Sequence, residues 1–180
     1  MIFLPIRSTL LAVMALVVLA LTGCASPANR GAMTPQGIVV SKHHPYTLNV
    51  QTGGGSETGA MDSSNISDAD LKAAIEDAVM QSKLFESVIQ GAGGDYILSV
   101  RVTTLSKPIF GATFTVEMET AWSLTKAADR SVVMRKSVKS SGSATMSDAF
   151  AGVTRLRMAV ENAARENISQ GLKAVAELSL

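Results

Sequence analysis

A chain of 180 residues with 16 basic and 15 acidic side chains, formal net charge +1, has room for about one domain. It lacks the basic excess that marks a nucleic-acid binder. Its single cysteine rules out an intrachain disulfide, a cysteine-based zinc site and an iron–sulfur cluster.

Arg7 and the free amine give the N-terminus a short positive start, and Leu10 to Leu21 is an unbroken apolar run. As a helix this run spans about 18 Å, short of the roughly 30 Å hydrocarbon core of a bilayer. Residues 1–23 therefore read as a secretory signal peptide rather than a membrane-spanning helix. The run ends in Leu21-Thr22-Gly23-Cys24, which resembles the lipobox of bacterial lipoproteins. The resemblance makes Leu21, Thr22 and Gly23 the recognition residues for signal peptidase. A large apolar side chain sits three positions before the cut, and small ones beside it let the backbone approach the peptidase. Cys24 is then the lipidation site, carrying a diacylglycerol and an N-acyl chain, with no other cofactor expected. Ala25 stands where inner-membrane retention in enteric-type sorting uses Asp, so the resemblance implies the periplasmic side of the outer membrane. Cleavage removes Arg7 and leaves equal numbers of basic and acidic side chains, so no net charge steers partners to the mature chain.

Residues 24–37 are small, polar and broken by Pro27 and Pro35, and read as the lipidated end and a flexible tether. A single domain is expected over 38–180. Ile38 to Val40 is short and apolar, with the look of an edge strand, and His43-His44-Pro45 interrupts it as a surface loop. Tyr46, Leu48 and Val50 alternate with Thr47, Asn49 and Gln51, the two-residue period of a half-buried strand. Residues 53–65 form a glycine- and serine-rich loop without the Gly-Lys-Ser/Thr of a phosphate-binding loop.

The spacing predicts a helix over 68–83. Ser67 and Asp70 make a capping box, Ile66 and Leu71 a hydrophobic staple, and Leu71, Ala74, Ile75, Ala78 and Val79 one apolar stripe. A short apolar stretch, 84–89, precedes Gly91-Ala92-Gly93-Gly94. Three long alternating strands follow, over about 95–105, 113–126 and 131–144. Lys136 falls on the inward phase of the third, which predicts a bulge or an exposed end there. The last segment, 148–178, reads as one long helix whose stripe begins at Phe150 and Val153. Gly152 and Gly171 mark places where it would fray or bend. Glu161 and Arg165 stand four apart on another face, in the favourable order for an ion pair. The elements add up to an α+β fold. The expected form is a two-layer sandwich, with a mostly antiparallel sheet of about four to five strands and two helices on one face.

No catalytic set assembles, so a non-enzyme is expected. His43 and His44 are adjacent and point to opposite faces of an extended chain, a poor arrangement for a shared metal. No G-x-S-x-G elbow supplies a nucleophile. Glu117 and Glu119 share a strand face at roughly 7 Å, but Arg101, Arg135 and Lys139 share it too, which suits cross-strand ion pairs on a wet sheet. That polar face, Arg101, Glu117, Glu119, Arg135 and Lys139, is the candidate partner surface. Phe114 and Trp122 fall on the core phase.

The lipobox, the Leu84-Phe85-Glu86-Ser87-Val88 segment, Gly94-Asp95-Tyr96-Ile97-Leu98 and the helix around Arg157 to Ile168 together resemble small Gram-negative envelope lipoproteins. These include the YajG-type lipoproteins, the auxiliary lipoproteins of ABC transport systems and the lipoprotein activators of peptidoglycan synthases. The long Pro-rich tether of some synthase activators is missing. The resemblance implies a non-catalytic accessory protein for envelope transport or assembly, bound to the membrane through its lipid and to an envelope protein. A carrier of lipid or another small ligand, with a cavity between sheet and helices, is the alternative; an envelope enzyme is the third reading.

Overall fold

The computed structural model describes residues 26–59 and 62–180. The signal peptide, Leu21 to Gly23 and Cys24 lie outside the described residues. The elements in order are α1 (Arg30–Met33), β1 (His44–Gly53), α2 (Asp68–Ser82), β2 (Phe85–Val88), β3 (Tyr96–Ser106), β4 (Phe114–Lys126), β5 (Val132–Ala144) and α3 (Gly152–Ala176). The strands form one mixed sheet in the order β2-β1-β3-β4-β5. The long strands β3, β4 and β5 are an antiparallel meander, as their alternation and short turns predict, so the sheet is mostly antiparallel. At its other side β1 runs parallel to both β2 and β3. The parallel pairs follow from connectivity: β1 and β2 are joined through α2, and a crossover helix returns the chain to begin the next strand in the same direction.

α2 starts as its sequence dictates. Ser67 Oγ accepts from the Asp70 amide at 3.0 Å and donates to Asp70 Oδ2 at 2.7 Å. The helix stops at Lys83, which takes a left-handed conformation with φ 53°. The glycines after β2 have a definite task. β2 pairs with the first half of β1 and β3 with the second, so the chain must cross β1 near Leu48. Gly91, Gly93 and Gly94 all have positive φ in this crossing, which glycine alone adopts at little cost. The buried amide of Asn49 donates to Ile89 O at 3.2 Å and to Gly91 O at 2.6 Å, fixing the crossing loop. Asn49 is thus buried although it lies on the polar phase of β1.

The stripe of α2 and that of α3 meet the inward side chains of the sheet in one core containing Leu48, Ile75, Leu98, Trp122, Ile168 and Leu172. Ser99, Arg101, Glu117 and Ala121 on the opposite side of β3 and β4 are exposed. Lys136 is exposed, and a register shift near the start of β5 lets Val132 and Val133 face solvent.

Several expectations change. Residues 28–34 are not a loose tether: Met33 is fully buried, Ala28 and Thr34 are buried, and α1 is capped by the Asn29 side chain. Arg30 forks onto both carboxylate oxygens of Asp77 on α2. Ile38 to Val40 forms no strand. His44 is not in a surface loop but buried at the start of β1, its Nε2 3.2 Å from Val175 O and its ring 5.2 Å from that of Phe85. His43 points the other way and stays exposed. Glu161 is buried, accepts from the Asn29 amide at 2.9 Å and pairs with Arg157 at 3.5 Å rather than with Arg165, whose Nε donates to Ala32 O at 2.7 Å. The docked N-terminal segment, invisible to helix periodicity, takes both groups. Phe150 and Val153 lie outside the core stripe and are exposed.

α3 runs unbroken through Gly171 to Ala176. A Cβ at Gly171 would lie 2.3 Å from Trp122 Cζ2. On β5, a Cβ at Gly142 would lie 2.1 Å from the Ala163 amide nitrogen and 2.5 Å from Ala159 O. At Gly142 helix and sheet meet almost backbone to backbone, and at Gly171 the helix backbone meets the Trp122 side chain. Around them a buried polar network fixes the contact. Asn167 Oδ1 accepts from Thr120 Oγ1 at 2.6 Å, its amide donates to Val138 O at 3.0 Å, and Trp122 Nε1 donates to Thr120 Oγ1 at 2.8 Å.

Gly171→Ala should lower the urea midpoint, because overpacking costs about 1–3 kcal/mol and exceeds the roughly 1 kcal/mol helix gain of Ala over Gly. A raised midpoint would mean that Trp122 yields. Acid should also weaken the fold. Asp95 accepts from the Thr47 amide and Oγ1, both at 2.8 Å, and these bonds hold its carboxyl below the ordinary value. Because the folded value is depressed, the contribution is present above the unfolded value of about 3.9 and lost as pH falls through the folded value. Urea midpoints against pH should show Asp95→Asn losing less on acidification than the parent.

Candidate interaction surface

The antiparallel register brings the five candidate residues to one side of the sheet. Arg101 stands opposite Ala121, which stands opposite Ser137; Glu119 stands opposite Lys139; Glu117 lies opposite Ser106 and Ser141; Arg135 lies opposite Ser123. All of these positions have the outward phase of their strands, so the alternation read from sequence places them correctly. Only one charged pair closes: Glu119 Oε2 is 3.6 Å from Lys139 Nζ. Glu119 Oε1 also accepts from Ser137 Oγ at 2.6 Å, and its backbone carbonyl accepts from Thr103 Oγ1 at 3.0 Å. Arg101, Glu117 and Arg135 make no ion pair or side-chain hydrogen bond among the described residues, so cross-strand pairing explains two of the five charges and leaves three facing water. Arg101 leans over β1, where a Cβ on Gly53 would lie 3.2 Å from its Nη1. The rest of the face is hydroxyl-rich, with Thr115 Oγ1 and Ser143 Oγ 2.8 Å apart across β4 and β5.

The two carboxylates line an open hollow of about 550 Å³ together with Lys139 and, from α3, Glu166 and Gln170, and no buried acid or base lines it with them. Among the described residues no group of three His, Cys, Asp or Glu side chains is placed to hold a metal ion. No helix among them is long and apolar enough to cross a membrane. A hollow of about 800 Å³ is an open groove beside edge strand β2, lined by His43, Met80, Lys83, Phe85 and Val88. It is not the cavity between sheet and helices that a carrier would need. Under α3 that space is closed by the approach at Gly142 and Gly171. Phe114 and Trp122 are buried, as their phase predicts.

Sequence reasoning missed a second surface. Ile109 and Phe110 in the β3–β4 loop and Phe150 before α3 are highly exposed. The signal was present as apolar residues between Pro108 and Gly111, in a turn, where alternation does not assign a face.

No family model matches the chain, and no curated protein sequence matches it. Solved structures share its fold. A DUF330 protein from Xanthomonas campestris is similar with a TM-score of 0.58 and 13% identity, over 83% of this chain and 91% of that one. A PelC dodecamer subunit from Paraburkholderia phytofirmans is similar with a TM-score of 0.52 and 12% identity, over 87% and 95% of the two chains. A candidate lipoprotein of Caulobacter crescentus has a TM-score of 0.48 and 18% identity, over 71% and 87%. At these identities the likeness to the Xanthomonas and Paraburkholderia structures is one of fold alone.

Breaking the Glu119–Lys139 pair should barely affect folding. With Lys139 77% and Glu119 34% exposed, Glu119→Gln should shift stability by less than about 1 kcal/mol, read by urea unfolding. A larger loss would make Glu119 a structural residue and unfit as a probe of this face.

Proposed function

We propose that the chain is a lipid-anchored envelope lipoprotein, held at the periplasmic side of the outer membrane through Cys24, that acts without catalysis as an accessory or binding protein in envelope transport or assembly. The lipobox Leu21 to Cys24 supports the anchor. The observation that carries the binding role is the exposed sheet face, where Arg101, Glu117 and Arg135 carry charge with no ion partner among the described residues. In this reading the fold is a two-layer sandwich, with α2 and α3 closing one side of the sheet and the other side offered to an envelope protein. In kind it resembles the YajG-type and ABC-transport auxiliary lipoproteins. No cofactor beyond the acyl chains and no nucleic acid belongs to this reading.

Two experiments test the two halves. Cys24→Ala should abolish palmitate labelling and release the protein from the membrane fraction; unchanged labelling defeats the anchor. With the anchor intact, Glu117→Lys combined with Glu119→Lys should remove a specific partner from those recovered by crosslinking and affinity purification. An unchanged set of partners would exclude the face. A lipid in the mass spectrum of the purified non-acylated domain would favour the carrier instead.

A further inference from the structure

We infer that one end of the domain, formed by the β3–β4 loop and the loop before α3, docks into the lipid interface beside the anchor. The inference rests on the reading of Cys24 as the lipidated residue. Ile109 is 93% exposed, and Phe110 and Phe150 are each 87% exposed. Met146 and Val153 in the second loop and the first turn of α3 add to the same apolar end. Exposed large apolar side chains gathered in one place mark an interaction site.

The two loops form one surface because a buried cation joins them. Arg155 Nη1 donates to Phe150 O at 2.7 Å and Ala149 O at 3.1 Å, while Nη2 donates to Gly111 O at 3.3 Å. Its guanidinium lies 5.2 Å from the centre of the Phe114 ring. Two of the nearby charges are turned inward or bonded. Lys107 Nζ donates to Ser64 O and to Asn65 Oδ1. Asp148 accepts from the Thr145 amide and hydroxyl at 2.7 and 2.8 Å. The apolar side chains are left outermost.

The path of the N-terminal segment says what covers them. Going forward, the segment runs along α3 in the same direction as the helix: Asn29 meets Glu161, Ala32 meets Arg165 and Ser41 meets Ala176. Going backward from Asn29 therefore leads toward the start of α3 and Phe150. The Ala28 amide donates to Asn65 O at 3.0 Å, and Asn65 holds Lys107, which opens the Ile109–Phe110 loop. Cys24 is four residues before Ala28, so it lies within about 14 Å of that point along a fully extended chain. Acyl chains on Cys24 bring the bilayer to this end of the molecule and not to the other. Phe and Ile side chains suit the boundary between headgroups and acyl chains. With lipid already holding the protein, the apolar end sets orientation: the strands stand away from the membrane, and the polar sheet face looks sideways into the periplasm.

The test uses the full acylated lipoprotein in vesicles of phosphatidylethanolamine and phosphatidylglycerol. Acylation consumes the native thiol, so Phe110→Cys, Phe150→Cys and, in the opposite β4–β5 turn, Ala128→Cys each give one site for a polarity-sensitive dye. All three positions are exposed, and unchanged thermal melting confirms that the variants fold. Brominated acyl chains should quench the dye at 110 and 150 several-fold more than at 128. Equal quenching at all three sites, with the acyl mass present on Cys24, overturns docking while leaving the anchor reading intact. A dye at 110 and 150 that is shielded from iodide but untouched by brominated lipid puts protein there and also overturns docking. A missing acyl mass on Cys24 overturns the anchor reading itself.

Discussion

Where α3 crosses β5, no side chain separates them: Gly142 faces the helix backbone at Ala159 and Ala163, and further along Gly171 receives the face of Trp122. Glycine weakens both a strand and a helix through the freedom its backbone loses on folding. Here that loss is offset by contact. The close approach lets the Trp122 ring fill the layer beneath α3, and Asn167, Thr120 and Val138 O find one another across it. A buried amide would be costly without these partners, so the network and the small residues depend on each other. Together they fix which turn of α3 lies over which strand.

That placement has consequences at both ends of the helix. Its first turns carry Arg155, which holds the β3–β4 loop and the loop before α3 in one unit. Its middle presents Glu161 and Arg165 to the N-terminal segment, which lies along the helix instead of hanging free. Its last turns offer Val175 O to His44. The helix thus serves as the spine against which the sheet and the entering chain are both aligned. The open side of the sheet takes no part in this, and its charges are free of structural duties except for Glu119 and Lys139.

Much of the architecture could be read from periodicity. The capping box at Ser67 and Asp70 forms as its spacing implies, because capping is local chemistry. The alternation of β4 sorts Phe114 to Leu124 inward and Thr115 to Ser123 outward, because a strand with one wet face leaves that record. The same logic placed Arg101, Glu117, Glu119, Arg135 and Lys139 on one face. The parallel pairing of β1 was not read, since strand direction leaves no mark in alternation. Nor was the burial of Asn49, Glu161 and His44, each of which depends on a partner far along the chain: a crossing loop, a docked segment or a helix end.

The sequence by itself determined the long strands, the two long helices, most of their inward faces and the case for an anchor at Cys24, because each is written in the neighbours of the residue concerned. Only the tertiary structure decided what the glycines and polar residues of α3 do. Gly171 looks like a weak point in a helix until Trp122 is seen against it. Arg155 and Glu161 look like surface charges until the loops and the N-terminal segment close over them. Which exposed apolar residues gather at one end, and where Ala28 and Asn29 dock, are likewise facts of packing. They bring together residues from the two ends of the sequence, and no local pattern carries that information.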